Sequence, residues 1–320
     1  MLFDKQVADM VLSRLQVRMD NPDGIFYFGP EDFPGLKANP YEFVSSKGHT
    51  LKGYFYCYDN TIPGKLVVFD HGMGNGHRAY MREIETLCRA GFLVYSYDHT
   101  GCMASGGPHI GGFAQSLQDL DDCIQALKED LTLHDRSLCV VGHSWGGFST
   151  MNIGALHPQV THVVSMSGFV SVERIVKQTL GALKAYAPAI VEREQRLFPR
   201  HSRYNALESL SRTGAKVLLI YSDDDRTVHK KDHFDPLQEK FADSDRVKLL
   251  LLTGKDHNPT YETESLKYKN DFFAKYQKAK KKGLLNTPEQ QQEFMGGFDW
   301  WHMTKQDMEV WEKIIEHLKS

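Results

Sequence analysis

At 320 residues, 41% hydrophobic and 25% charged, the chain has the make-up of a folded protein with a sizeable core, in one large domain or two small ones. A net charge of −3 gives no electrostatic reason to expect nucleic acid as a partner. The sequence has no signal-peptide run and no bilayer-spanning stretch, and Cys57, Cys88, Cys102, Cys123 and Cys139 read as free thiols of a cytoplasmic protein.

Val7, Val11 and Leu15 stand four apart, which predicts a short amphipathic helix over residues 3–18. A turn-rich stretch follows, and "YEFVSSKGHTLKGYFYCYD" then reads as two antiparallel strands around Lys47-Gly48. From Lys65 short apolar runs alternate with helical periods. "KLVVFDH" is a strand, and Met81, Ile84, Leu87 and Cys88 mark a helix ending at Gly91. "FLVYSYD" is a strand, and Leu117, Leu120, Ile124, Leu127 and Leu131 mark a helix. "SLCVVGH", a helix from Gly146 to about His157, and "THVVSMSG" continue the pattern. Such alternation implies a mainly parallel sheet covered by helices on both faces. Residues 169–212 read as helical without a strand, before "KVLLIYSDDD" and "RVKLLLLTG" complete the sheet. Helical material over 260–299 precedes a closing helix at Lys305–Lys319.

The stretch Gly142-His143-Ser144-Trp145-Gly146 fits G-x-S-x-G between a strand and a helix. A sharp strand-to-helix turn lifts the serine hydroxyl above the strand ends, where helix amides favour developing negative charge, and only glycine leaves room at the flanks. A serine hydroxyl needs a base. His143 is adjacent, but neighbouring residues on such a turn point apart, so packing or bonding beneath the site is its expected role. A later strand supplies His257 in "LLLLTGKDHNPT", and the preceding strand supplies Asp223, Asp224 and Asp225 as candidate orienting carboxylates. Ser, Asp, His is the chain order of this kind of sheet.

In these residues the chain resembles the α/β-hydrolases, from about residue 41 to 319. The resemblance implies the α/β-hydrolase fold with a helical cap. It divides the chain into a lead-in (1–40), a core (41–168 and 213–320), a cap (169–212) and a second helical insertion within the core (260–299). The family's acid pattern G-x-x-D-x-x-V maps onto Ser222, Asp225 and Val228, which favours Asp225 with Asp224 next; serine replaces the usual glycine. Gly254, Lys255, Asp256 and His257 match the family's base element. "DHGMGNGH" is similar to its oxyanion loop, implying that the backbone amides of Met73 and Trp145 hold the oxyanion. "YDHTGCMASGG" is similar to the family's D-x-R-G-x-G-x-S, with His99 and Thr100 departing from it. A serine hydrolase acting on a carboxylic ester or related acyl bond through an acyl-enzyme on Ser144 is therefore expected. Thioesterase, lysophospholipase or small peptidase/amidase activity is the alternative, and a non-catalytic binding protein a more distant one. The expected partner is a small acyl substrate, with no cofactor, no metal and no nucleic acid; a homo-oligomer is left open.

Other signals receive plainer readings. Gly72, Gly74 and Gly76 do not form a nucleotide loop. His229 and His233 have metal-ligand spacing but no third ligand, and read as a solvated helix face. The basic stretch 267–282 reads as a solvated face in preference to an anion or membrane site. Trp145 and Trp300-Trp301 read as packing or pocket lining.

Overall fold

The alternation from Lys65 onward folds as one twisted sheet. The computed structural model describes residues 13, 15–20, 24, 26–133 and 135–320. In chain order these form β1 (Lys37–Val44), β2 (Thr50–Cys57), β3 (Lys65–Asp70), α1 (Met81–Arg89), β4 (Leu93–Tyr97), α2 (Gln115–Glu129), β5 (Ser137–His143) and α3 (Trp145–Ile153). There follow β6 (Val160–Met166), α4 (Val172–Leu180), α5 (Ala187–Leu197), α6 (Ala206–Arg212), β7 (Lys216–Ser222), α7 (Lys230–Phe241) and β8 (Val247–Leu252). The last elements are α8 (Thr263–Lys281), α9 (Pro288–Gly296), α10 (Trp300–Met303) and α11 (Met308–Lys319).

The strand order is β1-β2-β4-β3-β5-β6-β7-β8. β1 and β2 pair antiparallel through Val44↔Thr50, β2 joins β4 antiparallel, and every later pairing is parallel. Parallel strands with helices on both faces must be apolar on both faces. In β3, Leu66 and Val68 accordingly enter one core, with α2 and α3, while Val67 and Phe69 enter the other, with α1 and α11. Each of these side chains is buried to 1% exposure or less, worth about 2 kcal/mol apiece in area removed from water. A third, smaller cluster (Phe272, Tyr276, Leu285 and Met303) holds α8 to the segments after it.

The predicted helix over 3–18 lies mostly outside the described residues; Leu15 is buried in a turn. Leu131 is not on the inner face of α2. The helix ends at Glu129, the C-cap Asp130 is extended, and Leu131 is 85% exposed. His233 is fully buried and not on a solvated face, because α7 packs against α4: the ring accepts from the Val170 amide (3.1 Å) and lies 3.1 Å from Gln178 Oε1.

Candidate active site

β5 lies at the middle of the sheet, and its carboxyl end runs straight into α3. Ser144 forms the turn at φ 56°, ψ −110°, a region a side chain enters at a cost of about 1–3 kcal/mol. The turn is held by the Ser144 amide donating to the Met166 carbonyl (2.8 Å) on neighbouring β6. It also demands glycine. A Cβ on Gly146 would lie 2.0 Å from the Asp70 carbonyl oxygen, so the elbow and the end of β3 are in backbone contact.

That contact brings the loop after β3 alongside. The Asp70 carboxylate accepts from Tyr97 Oη (3.0 Å) on β4 and from Ser149 Oγ on α3, so one buried acid ties the start of the loop to the helix after Ser144. His71 Nδ1 donates to the Gly72 carbonyl (2.7 Å), and its Nε2 accepts from the His99 amide (3.0 Å). Among the described residues, neither the Met73 nor the Trp145 amide is spent on a backbone hydrogen bond; Trp145 opens α3, where amides lack intrahelical partners. The Trp145 indole is buried and donates to the Phe113 carbonyl (2.6 Å), so it supports the elbow from inside and does not line an open pocket.

Beyond β7 and β8 the three aspartates separate by what they bind. Asp225 Oδ2 lies 2.8 Å from His257 Nδ1, while its Oδ1 accepts from the amides of Thr227 (2.8 Å) and Val228 (2.9 Å). Burial pushes this carboxyl up, but the His257 hydrogen bond and charge and the two amides outweigh it, and the net displacement is downward. Asp224 instead accepts from Ser222 Oγ (2.6 Å) and the Asp256 amide (2.9 Å), and Asp223 from the Gly254 amide (3.1 Å). Ser222, in the usual glycine place, also accepts from the Lys255 amide (2.9 Å), so it splices the two loops together. Lys255 in turn donates to Asp307 (2.6 Å), the N-cap of α11, and to the Tyr261 carbonyl (2.8 Å).

His143 stands between the two halves. Its ring lies 4.7 Å from that of His257, its Nε2 is 2.6 Å from the His257 carbonyl, and its Nδ1 is 2.9 Å from Tyr80 Oη. Burial, with His257 nearby, drives its pKa down to about 3, so the ring is neutral. Tyr80 Oη accepts in turn from the Gly72 amide (3.1 Å). Among the described residues no hydrogen bond joins Ser144 Oγ to His257 Nε2; such contacts often tighten only when substrate binds.

Other histidine–carboxylate pairs are differently placed. His77 bonds Asp98 (2.7 Å) with one nitrogen and Tyr56 Oη (2.9 Å) with the other, and His157 is shared between Asp121 and Gln159. Among the described residues His257 Nε2 has no hydrogen-bond partner, and its side chain is 17% exposed. It is the one carboxylate-oriented imidazole, among the described residues, left open beside the elbow. His99 was visible in the sequence only as a departure from a pattern. Burial alone would lower its pKa, but it lies 3.3 Å from Asp119 and 3.2 Å from Asp70 (the latter without hydrogen-bond alignment), which raises it to about 10. Its charged ring packs 4.9 Å from Trp145. Tyr80 carries no motif that sequence could flag.

A cavity of about 120 Å³ adjoins these loops, lined among others by Asn75, Asn258, Lys269, Phe273, Trp300 and Met303. A larger groove of about 720 Å³ lies at the antiparallel edge of the sheet, and none of Met73, Ser144, Trp145, Asp225 and His257 lines it.

A central parallel sheet, an elbow serine at its carboxyl edge and an Asp–His pair from the loops after the last two strands are the architecture of an α/β-hydrolase. Residues 61–224 match the family described as serine aminopeptidase, S33, and the chain belongs to that family of serine hydrolases. It is 28% identical over 137 residues to a monoglyceride lipase homolog of Monkeypox virus, covering 41% of this chain and 49% of that one. It is 30% identical over 111 residues to a monoacylglycerol lipase of Mycolicibacterium smegmatis, covering 34% and 39% respectively. The matches thus span half or less of these curated relatives. An esterase of Pyrococcus furiosus superposes with a TM-score of 0.59 at 19% identity, covering 82% of this chain and 97% of that one, a likeness of fold. No described helix is long and apolar enough to cross a membrane.

Proposed function

We propose that the chain is a carboxylesterase that works through an acyl-enzyme on Ser144. Ser144 Oγ attacks the ester carbonyl as His257 Nε2 takes its proton, and Asp225 holds the imidazole with Nδ1–H towards itself. The carbonyl oxygen becomes an oxyanion between the amides of Met73 and Trp145, each worth about 3 kcal/mol of barrier. His257 then gives the proton to the departing alcohol. Water, deprotonated by the same ring, attacks the acyl-enzyme, and Ser144 regains its proton as the acid leaves.

The observation that carries this reading is the 2.8 Å Asp225–His257 contact, with the opposite nitrogen of the ring open. Residues 169–212, whose α4 and α5 pack on one another, are read as the cap over the acyl or alcohol site. An ester is preferred to a free-amino peptide because Lys269 brings a cation to the adjoining cavity, where it would repel an α-ammonium. The test is labelling with a fluorophosphonate probe beside an ester, thioester and amide panel. Ser144→Ala is expected to abolish labelling and lower kcat by about 10⁶. Labelling that survives this substitution would place the nucleophile elsewhere.

A further inference from the structure

The basic helix α8 contains one lysine unlike its neighbours. Lys267 and Lys275 are more than half exposed and paired with Glu264 and Asp271 (both 2.6 Å). Lys269 turns inward instead and lines the cavity beside the site. Among the described residues it has neither an ion pair nor a hydrogen bond, and its ammonium lies 5.2 Å from the Tyr261 ring centre. Burial lowers its pKa to about 8, with Glu83 and Asp256 pulling the other way. Glu83 is a poor counter-ion, because burial raises its own carboxyl to about 7. An ammonium that lines a half-closed cavity without a bonded anion is under-compensated, and a ligand anion relieves that cost.

The rest of the cavity sets what can bring the anion. Asn75 lies two residues past Met73 and Asn258 directly follows His257, so the cavity sits next to the groups proposed to receive the ester. Phe273, Trp300 and Met303 make its far wall apolar. The Trp300 indole N–H is already donated to the Met295 carbonyl (2.9 Å), so that wall offers no further donor. At about 120 Å³ the space is a little smaller than the roughly 150 Å³ that holds a benzene ring, which suits a carboxylate on two or three methylenes.

We propose that this cavity is a specificity subsite for esters bearing a short carboxylate arm, such as monoesters of small dicarboxylic acids, with Lys269 as the counter-charge. The proposal rests on the esterase reading of Ser144, and it adds a substrate class that the lipase and esterase likenesses do not contain.

The experiment compares 4-nitrophenyl hemiglutarate with the neutral 4-nitrophenyl pentanoate, and with an ester carrying a phosphate-terminated arm, in the full chain and in Lys269→Met and Lys269→Arg. The full chain is expected to favour hemiglutarate in kcat/KM by tenfold or more. Lys269→Met should lower the ratio of anionic to neutral ester by at least tenfold through KM, and Lys269→Arg should restore part of it. Glutarate should protect Ser144 from a fluorophosphonate in the full chain and fail to do so in Lys269→Met, a readout that requires no turnover. Equal losses on both esters would make Lys269 structural and overturn the subsite, as would an unchanged ratio or a preference for the phosphate arm. A full chain in which Ser144 is never labelled overturns the esterase reading itself, whereas labelling without glutarate protection overturns only the subsite.

Discussion

His143 Nε2 donates to the backbone carbonyl of His257 across 2.6 Å. A carbonyl can only accept, and a neutral ring carries one proton, so Nδ1 must accept from Tyr80 Oη, which itself accepts from the Gly72 amide. The proton donors therefore run in one direction, from the loop before Met73, through Tyr80 and His143, to the loop of His257. The residue that looks like a rival base in the sequence joins the two loops by hydrogen bonds. Losing one partner of a buried hydrogen bond costs about 1–3 kcal/mol. His143→Ala is expected to lower kcat by about 10- to 100-fold with a smaller change in KM, and His143→Gln, which keeps a donor, to recover part of the loss. Unchanged kcat in His143→Ala would mean that the loops hold their positions without this link.

The three adjacent aspartates offer a sharper comparison. Asp225→Asn leaves the shape but spoils the imidazole tautomer, and a drop in kcat of about 10⁴ is expected. Asp224→Asn disturbs only the splice to Ser222 and the Asp256 amide, so its effect on kcat should stay below about tenfold, with a stability loss near 1 kcal/mol. Steady-state kinetics beside urea unfolding separates the two, and a reversed order would reassign the acid.

His99 ties alkaline stability to the loop after β3 and to the elbow, through His71 and Trp145. Its folded pKa, about 10, lies above the ordinary 6.5, so folding favours the charged ring. The stabilisation is fully present below about pH 6.5 and drains away as pH rises towards 10. Removing one partner of such a buried cluster costs about 3–5 kcal/mol. The stability gap between the protein and His99→Gln should therefore be widest near pH 6 and close towards pH 10, as read from denaturant midpoints. A gap that widens with pH would contradict a charged His99.

Glu194 on α5 supplies a second pH-dependent contact. Its carboxyl accepts from the amides of Phe113 (2.9 Å) and Ala114 (3.2 Å), and burial raises its pKa to about 7 against those amides. A raised carboxyl stabilises most below its ordinary 4.5 and loses that contribution as pH passes through about 7. Glu194→Gln cannot ionise, so the protein's stability relative to this variant should fall between pH 5 and 8. Phe113 also accepts from the Trp145 indole, so proteolysis within 169–212 should increase in Glu194→Ala.

Much of the architecture was legible because the periods are strong. The two faces of β3 follow from the uninterrupted apolar run Leu66–Phe69, and the elbow from glycines that only one turn geometry needs. The limits were equally physical. Spacing alone could not choose among Asp223, Asp224 and Asp225, because the choice depends on which carboxylate meets His257 across the gap from β7 to β8. Leu131 followed the helical period but fell one residue past the cap of α2, where tertiary packing ended. His233 and Lys269 carry polar side chains at positions that pattern assigns to water. Only the packing of α7 on α4, and of α8 beside Tyr261, turns them inward.

The bond from Lys255 to Asp307 spans 52 positions of sequence and fastens the stretch before His257 to the start of α11. His257 itself is held by Asp225 and by His143, and the stretch leading to it is held in addition by this later helix. During synthesis Lys255 is made well before its partner Asp307, so this bond has to wait for most of the chain. The fastening of the loop around His257 is thus a long-range contact that a chain folding from its N-terminal side can make only late.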